Sequence, residues 1–312
     1  MSHYVRVSLT AHCDLACPYC RPGERPCVVA GAPVSAPELE QLLLRIHAAS
    51  GVRKVRLTGG EPLLRSDVVD VAARLRRALP EAELALTTNG VRLAGLAAPL
   101  RAAGLDRINV SLDTLSRRRF AELTGRDALL AVLAGIRAAR AAGFTPLRLN
   151  AVLLRSGSGR ELTALVRFAA REGAEIRFIE LMPLGPGARL FETEFLSGDE
   201  ARERIAARLP YVGPLAGSDT AVRHAFRVGE SEVRVGFISP LTHPFCGACD
   251  RLRLDSRGHL LGCLRDQGGV DLITPLRAGD PAEVDRRIAT IARLKGRPEG
   301  LWPGRAMAQI GG

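Results

Sequence analysis

Seven cysteines carry the first chemical signal: Cys13, Cys17, Cys20, Cys27, Cys246, Cys249 and Cys263. Six of them fall in two groups of three at opposite ends of the chain. The first reads Cys13-Asp14-Leu15-Ala16-Cys17-Pro18-Tyr19-Cys20; the second is Cys246-Gly247-Ala248-Cys249 with Cys263 after thirteen intervening residues. An odd count, behind an N-terminus that does not read as a secretory signal, argues against a disulfide framework. Thiolates so spaced point to metal. Tetrahedral zinc wants four ligands; His12 or His243 could complete a set, so zinc competes on spacing alone. A [4Fe–4S] cluster is usually held by four cysteines, and with three, one iron stays open to chelate a substrate. Two groups of three therefore suggest two such clusters. Cys27 reads as a structural or incidental thiol.

The segments between the two groups say what positions them. Strand-like runs occur at 4–9, 54–57, 84–87, 107–110, 147–152 and 175–179, rich in apolar residues and in part alternating at period two. Between them lie amphipathic stretches. Ser35-x-x-Glu38 is a capping box ahead of Leu39, Leu42, Leu43 and Ile46 on one helical face, and 68–79, 129–142 and 162–171 have the same periodicity. Gly51, Gly104, Gly143 and Gly173 stand where each helix should stop. Repeated strand–helix units imply an α/β fold, a parallel sheet covered by helices. Polar residues then gather at one sheet edge: Ser8 to Thr10, Thr58 to Glu61, Thr87 to Gly90, Ser111 to Asp113, Asn150, and Glu180 to Met182. In barrel-like α/β folds that edge is the active site, and the first cysteine group follows the first strand there. After Met182 the breaker-rich Pro183-Leu184-Gly185-Pro186-Gly187 reads as a linker. Beyond it come a helix at 199–209, strands at 224–228, 231–236 and 252–255, a helix at 280–294 and an extended tail from Arg297.

Composition bounds the rest. The chain has 312 residues, 46% hydrophobic and 25% charged, which excludes disorder for its bulk. No apolar run is long enough to span a membrane, so a cytoplasmic protein is expected. The formal net charge is +11, and all but two of the 44 basic residues are Arg, the exceptions being Lys54 and Lys295. An Arg-coated surface or an anionic small-molecule ligand such as a nucleotide accounts for that charge. Aromatic residues make up only 4% and are not interleaved with basic ones, so no nucleic-acid partner is expected.

Taken together these motifs resemble the radical S-adenosylmethionine (SAM) superfamily, and within it the GTP 3′,8-cyclases of molybdenum cofactor biosynthesis, the family called MoaA. The resemblance runs through Cys13–Cys20, Thr58-Gly59-Gly60-Glu61-Pro62, Thr87-Thr88-Asn89-Gly90, Asn109-Val110-Ser111-Leu112-Asp113 and Arg177-Phe178-Ile179-Glu180. It continues through Phe245-Cys246-x-x-Cys249-x-Arg251-x-Arg253-Leu254, Cys263-Leu264 and Ile310-Gly311-Gly312. It implies a partial (βα)6 TIM-like radical SAM barrel at 1–182 and a smaller auxiliary-cluster domain with a Gly-Gly tail at 183–312. By resemblance, Cys13, Cys17 and Cys20 hold the [4Fe–4S] cluster that cleaves SAM, and Cys246, Cys249 and Cys263 hold a second one that contacts the guanine of GTP. Tyr19, Gly60, Ser111 and Met182 match SAM contacts. Gly60 would allow backbone approach to the methionine end, where a side chain would block it. Arg6, Arg56, Thr87, Arg148, Arg177, Arg251 and Arg253 match the residues that recognise ribose and triphosphate, with Arg251 and Arg253 also organising catalysis. The guanidinium fork suits phosphate oxygens.

The family reaction cleaves SAM with one electron; the 5′-deoxyadenosyl radical removes hydrogen from C3′ of GTP, and C3′ then bonds C8 of guanine. Besides GTP, the resemblance implies an external electron donor and a downstream cyclic pyranopterin monophosphate synthase, and leaves a homodimer open. The chain departs from the family at Arg148, where Lys is common, at Pro22-Gly23 and in the loop 156–159. A paralogue acting on another nucleotide is one alternative. A radical SAM peptide-modifying enzyme is another, although it would normally carry more C-terminal cysteines. A non-catalytic zinc or electron-transfer protein would leave the polar rim unexplained.

Overall fold

A computed structural model describes residues 3–20, 33–217, 220–266 and 268–294. Cys27, the 22–23 departure and the Gly311-Gly312 tail lie outside the described residues. Six parallel strands form the frame: β1 (Tyr4–Ser8), β2 (Lys54–Thr58), β3 (Glu83–Thr88), β4 (Arg107–Ser111), β5 (Leu147–Leu153) and β6 (Ala174–Glu180), hydrogen-bonded in chain order. Helices α1 (Ala36–Ser50), α2 (Val68–Ala78), α3 (Leu93–Ala102), α4 (Arg117–Thr124), α5 (Leu129–Ala141) and α6 (Gly159–Glu172) connect them. Crossover helices are what parallel strands require.

The strand faces explain the fold. Val5, Val7, Val55, Leu57, Leu84, Leu86, Ile108, Val110, Leu149, Ile176 and Phe178 are fully buried, in one apolar core with Leu39, Leu42, Leu43 and Ile46 of α1. Their alternate neighbours on the same strands, mostly polar with Ala85 and Ile179 as exceptions, point to the other face. The Ser35–Glu38 capping box forms as expected, and Gly51 ends α1 in the left-handed conformation, φ 64°. Expected and observed elements agree to within three residues through all six units. Helices α3 and α4 go beyond the expected set. Gly95 and Pro99 disguise α3 in sequence, yet burial of Leu93, Ala97 and Leu100 outweighs their poor propensity.

The C-terminal part holds α7 (Gly187–Glu194), α8 (Gly198–Ala206), β7 (Tyr211–Leu215), β8 (Val222–Val228), β9 (Ser231–Ile238), β10 (Arg251–Leu254), β11 (His259–Leu261), β12 (Val270–Asp271), α9 (Ile273–Arg277) and α10 (Pro281–Leu294). Its strands do not build a sheet of their own. They extend both edges of the parallel frame, in the order β12-β11-β10-β1-β2-β3-β4-β5-β6-β9-β8-β7. Strand β10 joins β1 in parallel, and β9 joins β6 in parallel. The residues after the second cysteine pair therefore lie beside the first strand. Among the described residues no helix is long and apolar enough to cross a membrane.

Candidate active site

The first cysteine group occupies the loop after β1, at the carboxyl edge of the sheet. Cys20 N–H donates to the Cys17 carbonyl at 3.0 Å, which closes the Cys-x-x-Cys turn. Leu15 N–H donates to Cys13 Sγ at 3.5 Å. Two motifs from other strands clamp the loop. Gly60 N–H donates to the Thr10 carbonyl and Glu61 N–H to the His12 carbonyl, both at 2.6 Å. The buried Glu61 carboxylate accepts from Leu63 N at 2.9 Å, Thr88 Oγ1 at 2.7 Å and Asn89 N at 2.7 Å. Asn89 in turn donates to Asp14 Oδ1 at 2.8 Å.

Gly60 has a reason of its own here. A Cβ there would stand 2.2 Å from the His12 carbonyl oxygen and 2.7 Å from that of Ala11. The chain's own cysteine loop thus already requires the absence of a side chain at this position. The other SAM candidates converge on the same edge. Tyr19 donates its hydroxyl to Asp113, two residues past Ser111, and Asp113 accepts Val152 N at 2.9 Å. Gly187 lets distant segments meet, since its Cβ would lie 2.7 Å from the Met182 carbonyl and 3.2 Å from that of Tyr19.

The second group begins in a 3₁₀ turn, Cys246–Ala248. Cys249 N–H donates to the Cys246 carbonyl at 3.1 Å, repeating the turn of the first group. Arg265 N–H donates to Cys263 Sγ at 3.4 Å, and Asp266 accepts from Gly262 N and Cys263 N at 2.8 and 2.9 Å. His243, a possible zinc ligand by sequence, instead bonds Asp199 at 2.7 Å.

The first group fits the cluster that its spacing suggests, and the second offers a donor set of the right chemistry, three free thiols. Among the described residues no three His, Cys, Asp or Glu side chains converge on one metal ion; a four-iron cluster spreads its ligands wider than a single ion does. Burial pushes the Cys13 thiol up to about 11, and Glu61 and Asp14 add to the effect. The Cys17 thiol is raised by burial, Asp113 and both neighbouring cysteines, so the three thiols of this group lie within one another's field. Bound iron reverses that balance, because a coordinating thiol is deprotonated. The N–H···S bonds are a further lever on cluster potential.

The arginines line the inner face. Arg6 on β1 pairs with Arg56 on β2 and Arg253 on β10, so three cations stand abreast on adjacent strands. One row below, Tyr4 sits between Lys54 and Arg251. Burial would raise the Tyr4 phenol, but Arg56, Arg6, Lys54 and Arg251 together bring it below its usual value. Arg6 is lowered to about 10 by burial, with Arg56 and Arg251 contributing. Arg253 falls well below its usual value through burial and the charges of Arg6 and Arg251, while Cys249 opposes the fall. Guanidinium groups keep their protons in proteins; these directions record like charges crowded where water is scarce, which an anion relieves. Arg56 Nη1 reaches Thr87 Oγ1 at 3.4 Å, tying in another expected residue.

A second row runs Thr87–Asn109–Arg148–Glu175, and a third Ser111–Asn150–Arg177–Gly236. The buried Glu175 accepts from Arg148 Nε at 3.3 Å, Arg177 Nε at 2.7 Å and Arg223 Nε at 3.0 Å. Burial raises Glu175, yet the three arginines hold it below the usual carboxylate value. Sequence reasoning missed Tyr4, Glu175 and Arg223. The alternation Glu175-x-Arg177 on β6 was a readable signal for Glu175; Arg223, some fifty residues away, offered none.

A family profile described as "Radical SAM superfamily" matches residues 7–169, and "Molybdenum Cofactor Synthesis C" matches 174–300. A GTP 3′,8-cyclase of Pseudomonas savastanoi pv. phaseolicola is 42% identical over 94% of this chain and 89% of the relative. One of Moorella thermoacetica is 39% identical over 99% and 97%. The chain belongs to the GTP 3′,8-cyclase family of radical SAM proteins. The family uses SAM and [4Fe–4S] clusters, two in its usual arrangement, in line with the two cysteine groups. Among solved structures, Streptococcus suis SuiB bound to precursor peptide SuiA has a TM-score of 0.61 over 85% of this chain and 60% of SuiB, at 16% identity. That likeness is one of fold.

Proposed function

We propose that this protein converts GTP to (8S)-3′,8-cyclo-7,8-dihydroguanosine 5′-triphosphate, the first step of molybdenum cofactor biosynthesis. The observation that carries the reading is the rank Arg253–Arg6–Arg56 on three adjacent strands, with Cys249 of the second cysteine group close enough to act on Arg253. A nucleoside triphosphate carries up to four negative charges, and Arg forks suit its oxygens. In this reading residues 1–182 act as the SAM barrel and 183–312 as the second-cluster unit. Cys13, Cys17 and Cys20 hold the first cluster; Cys246, Cys249 and Cys263 hold the second.

Bound SAM and its cluster supply one-electron cleavage, and so hydrogen abstraction from an unactivated C–H. The chain's own residues supply position and field. Tyr19, Ser111 and Met182 flank SAM, while Gly59, Gly60 and Glu61 fix the loop beneath it. Arg6, Arg56, Arg148, Arg177, Arg251, Arg253 and Thr87 hold the triphosphate and ribose. An external reductant delivers the electrons, and a cyclic pyranopterin monophosphate synthase consumes the product. Anaerobic incubation with SAM, dithionite and each of GTP, ATP, GMP and dGTP tests the reading. A new nucleotide isomeric with GTP, formed from GTP alone together with 5′-deoxyadenosine, supports it. Turnover of another nucleotide in preference to GTP would make the chain a paralogue.

A further inference from the structure

The Arg-Phe-Ile-Glu motif ends in a residue that the reaction does not use. Glu180 is the last residue of β6 and is 1% exposed. Its Oε1 accepts from Gly198 N at 3.0 Å and from the Thr242 hydroxyl. Its Oε2 accepts from Leu241 N at 3.1 Å and Thr242 N at 3.2 Å. Four donors from two separate segments thus meet one carboxylate. The first segment is the start of α8. The second is the turn after β9, which His243 N closes onto the Ser239 carbonyl at 2.9 Å. The two segments also press on each other: a Cβ at Gly198 would stand 2.4 Å from Ser239 Oγ. Cys246 follows that turn by three residues.

We propose that Glu180 is a positioning residue that aims the second cysteine group at the nucleotide. This rests on the function proposed above. Strand β6 carries Arg177 on the inner face and Glu180 at its tip, so one rigid strand sets both the cationic wall and the anchor of the cysteine loop. The anchor must be a carboxylate because each of its oxygens accepts two bonds; an amide would set an N–H group against two donors. With the anchor lost, the cysteines still bind iron, but the loop that bears them swings away from the substrate.

The test uses anaerobically reconstituted full-length protein carrying E180Q or, as a milder change that removes only the hydroxyl donor, T242V. Readouts are iron content, the electron paramagnetic resonance (EPR) spectrum with and without GTP, KM for GTP, and 5′-deoxyadenosine formed per cyclised nucleotide. For E180Q we expect wild-type iron and a weakened GTP-induced spectral change. KM and the 5′-deoxyadenosine ratio should each rise about tenfold, the worth of one charge-assisted hydrogen bond. T242V should move both in the same direction by about threefold, a neutral-donor effect. A full GTP-induced change with unchanged KM and ratio overturns the proposal. So does loss of iron in T242V, since Thr242 and Glu180 would then build the cluster site rather than aim it. Wild-type protein showing no GTP-induced change at all rejects the proposed function, and this inference with it.

Discussion

Arg253 is buried beside two other cations, Arg6 and Arg251, a crowding of like charge that a bound anion would relieve. Its replacement should therefore be felt in binding more than in folding. A charge-assisted hydrogen bond is worth roughly 1.5–3 kcal/mol, so R253A should raise KM for GTP about tenfold to a hundredfold. Iron content should stay at the wild-type level, and the effect on KM should exceed any loss of stability, which comes from the packing of one buried side chain. A melting point several degrees lower with unchanged KM would place the substrate elsewhere. Gly60 makes the opposite case. A Cβ there meets backbone oxygen at 2.2 Å, and backbone cannot swing aside as a side chain can. G60A should disrupt the loop of Cys13, Cys17 and Cys20, removing about half of the iron and abolishing SAM cleavage. Full iron with normal 5′-deoxyadenosine would show that the loop can shift.

At the scale of elements, α1 is pinned at its first turn. Glu38 accepts from Ser35 N at 2.7 Å and pairs with Arg277 at the end of α9 at 2.7 Å. One side chain thus caps α1 and ties it to the C-terminal part. The Arg277 pairing, with the Ser35 bonds adding, lowers Glu38 from 4.5 to about 2. A depressed carboxylate stabilises the fold above its unfolded value and loses that contribution as pH falls through the folded one. The wild type should lose stability between about pH 4.5 and 2, and E38Q should flatten that limb. At neutral pH, E38Q keeps the capping box, which Gln also completes, and should cost only the half-exposed pair with Arg277, about 0.2–1 kcal/mol. Urea titrations at several pH values check both; parallel acid limbs for the two proteins would remove Glu38 from the account.

For the whole molecule, the sheet order decides what the two ends of the chain do together. Strand β10 lies against β1, which brings Arg251 and Arg253 to the first strand although some 245 residues separate them in sequence. In the proposed function the two cysteine groups serve one inner face. Joint replacement of Cys246, Cys249 and Cys263 by Ala should lower iron from about eight to about four per chain, the difference being one four-iron cluster. Uncoupled 5′-deoxyadenosine formation should persist while cyclised nucleotide disappears. Loss of all iron in this variant would show that the two sites fold as one unit.

Much of this molecule was legible before any coordinates. Cysteine spacing fixes metal chemistry because thiolates three residues apart meet in one turn. The period-two and helical patterns located all six strands and most of the helices between them, because each strand buries one face and each helix one stripe. The rim of polar strand ends followed from that. The helix α3 was hidden, since Gly95 and Pro99 argue against it locally and only packing overrules them. Three further decisions belonged to tertiary structure alone. Strands β9 and β10 take opposite edges of the sheet, and nothing in their short sequences names a partner. Arg223 reaches Glu175 only because β8 lies beside β9 and β9 beside β6. The reason Gly60 lacks a side chain is a pair of carbonyl oxygens in the facing loop, visible only when the two loops are in contact. Local patterns report which face of an element is buried; which elements share that face is settled by long-range pairing, and the chain's active site is made there.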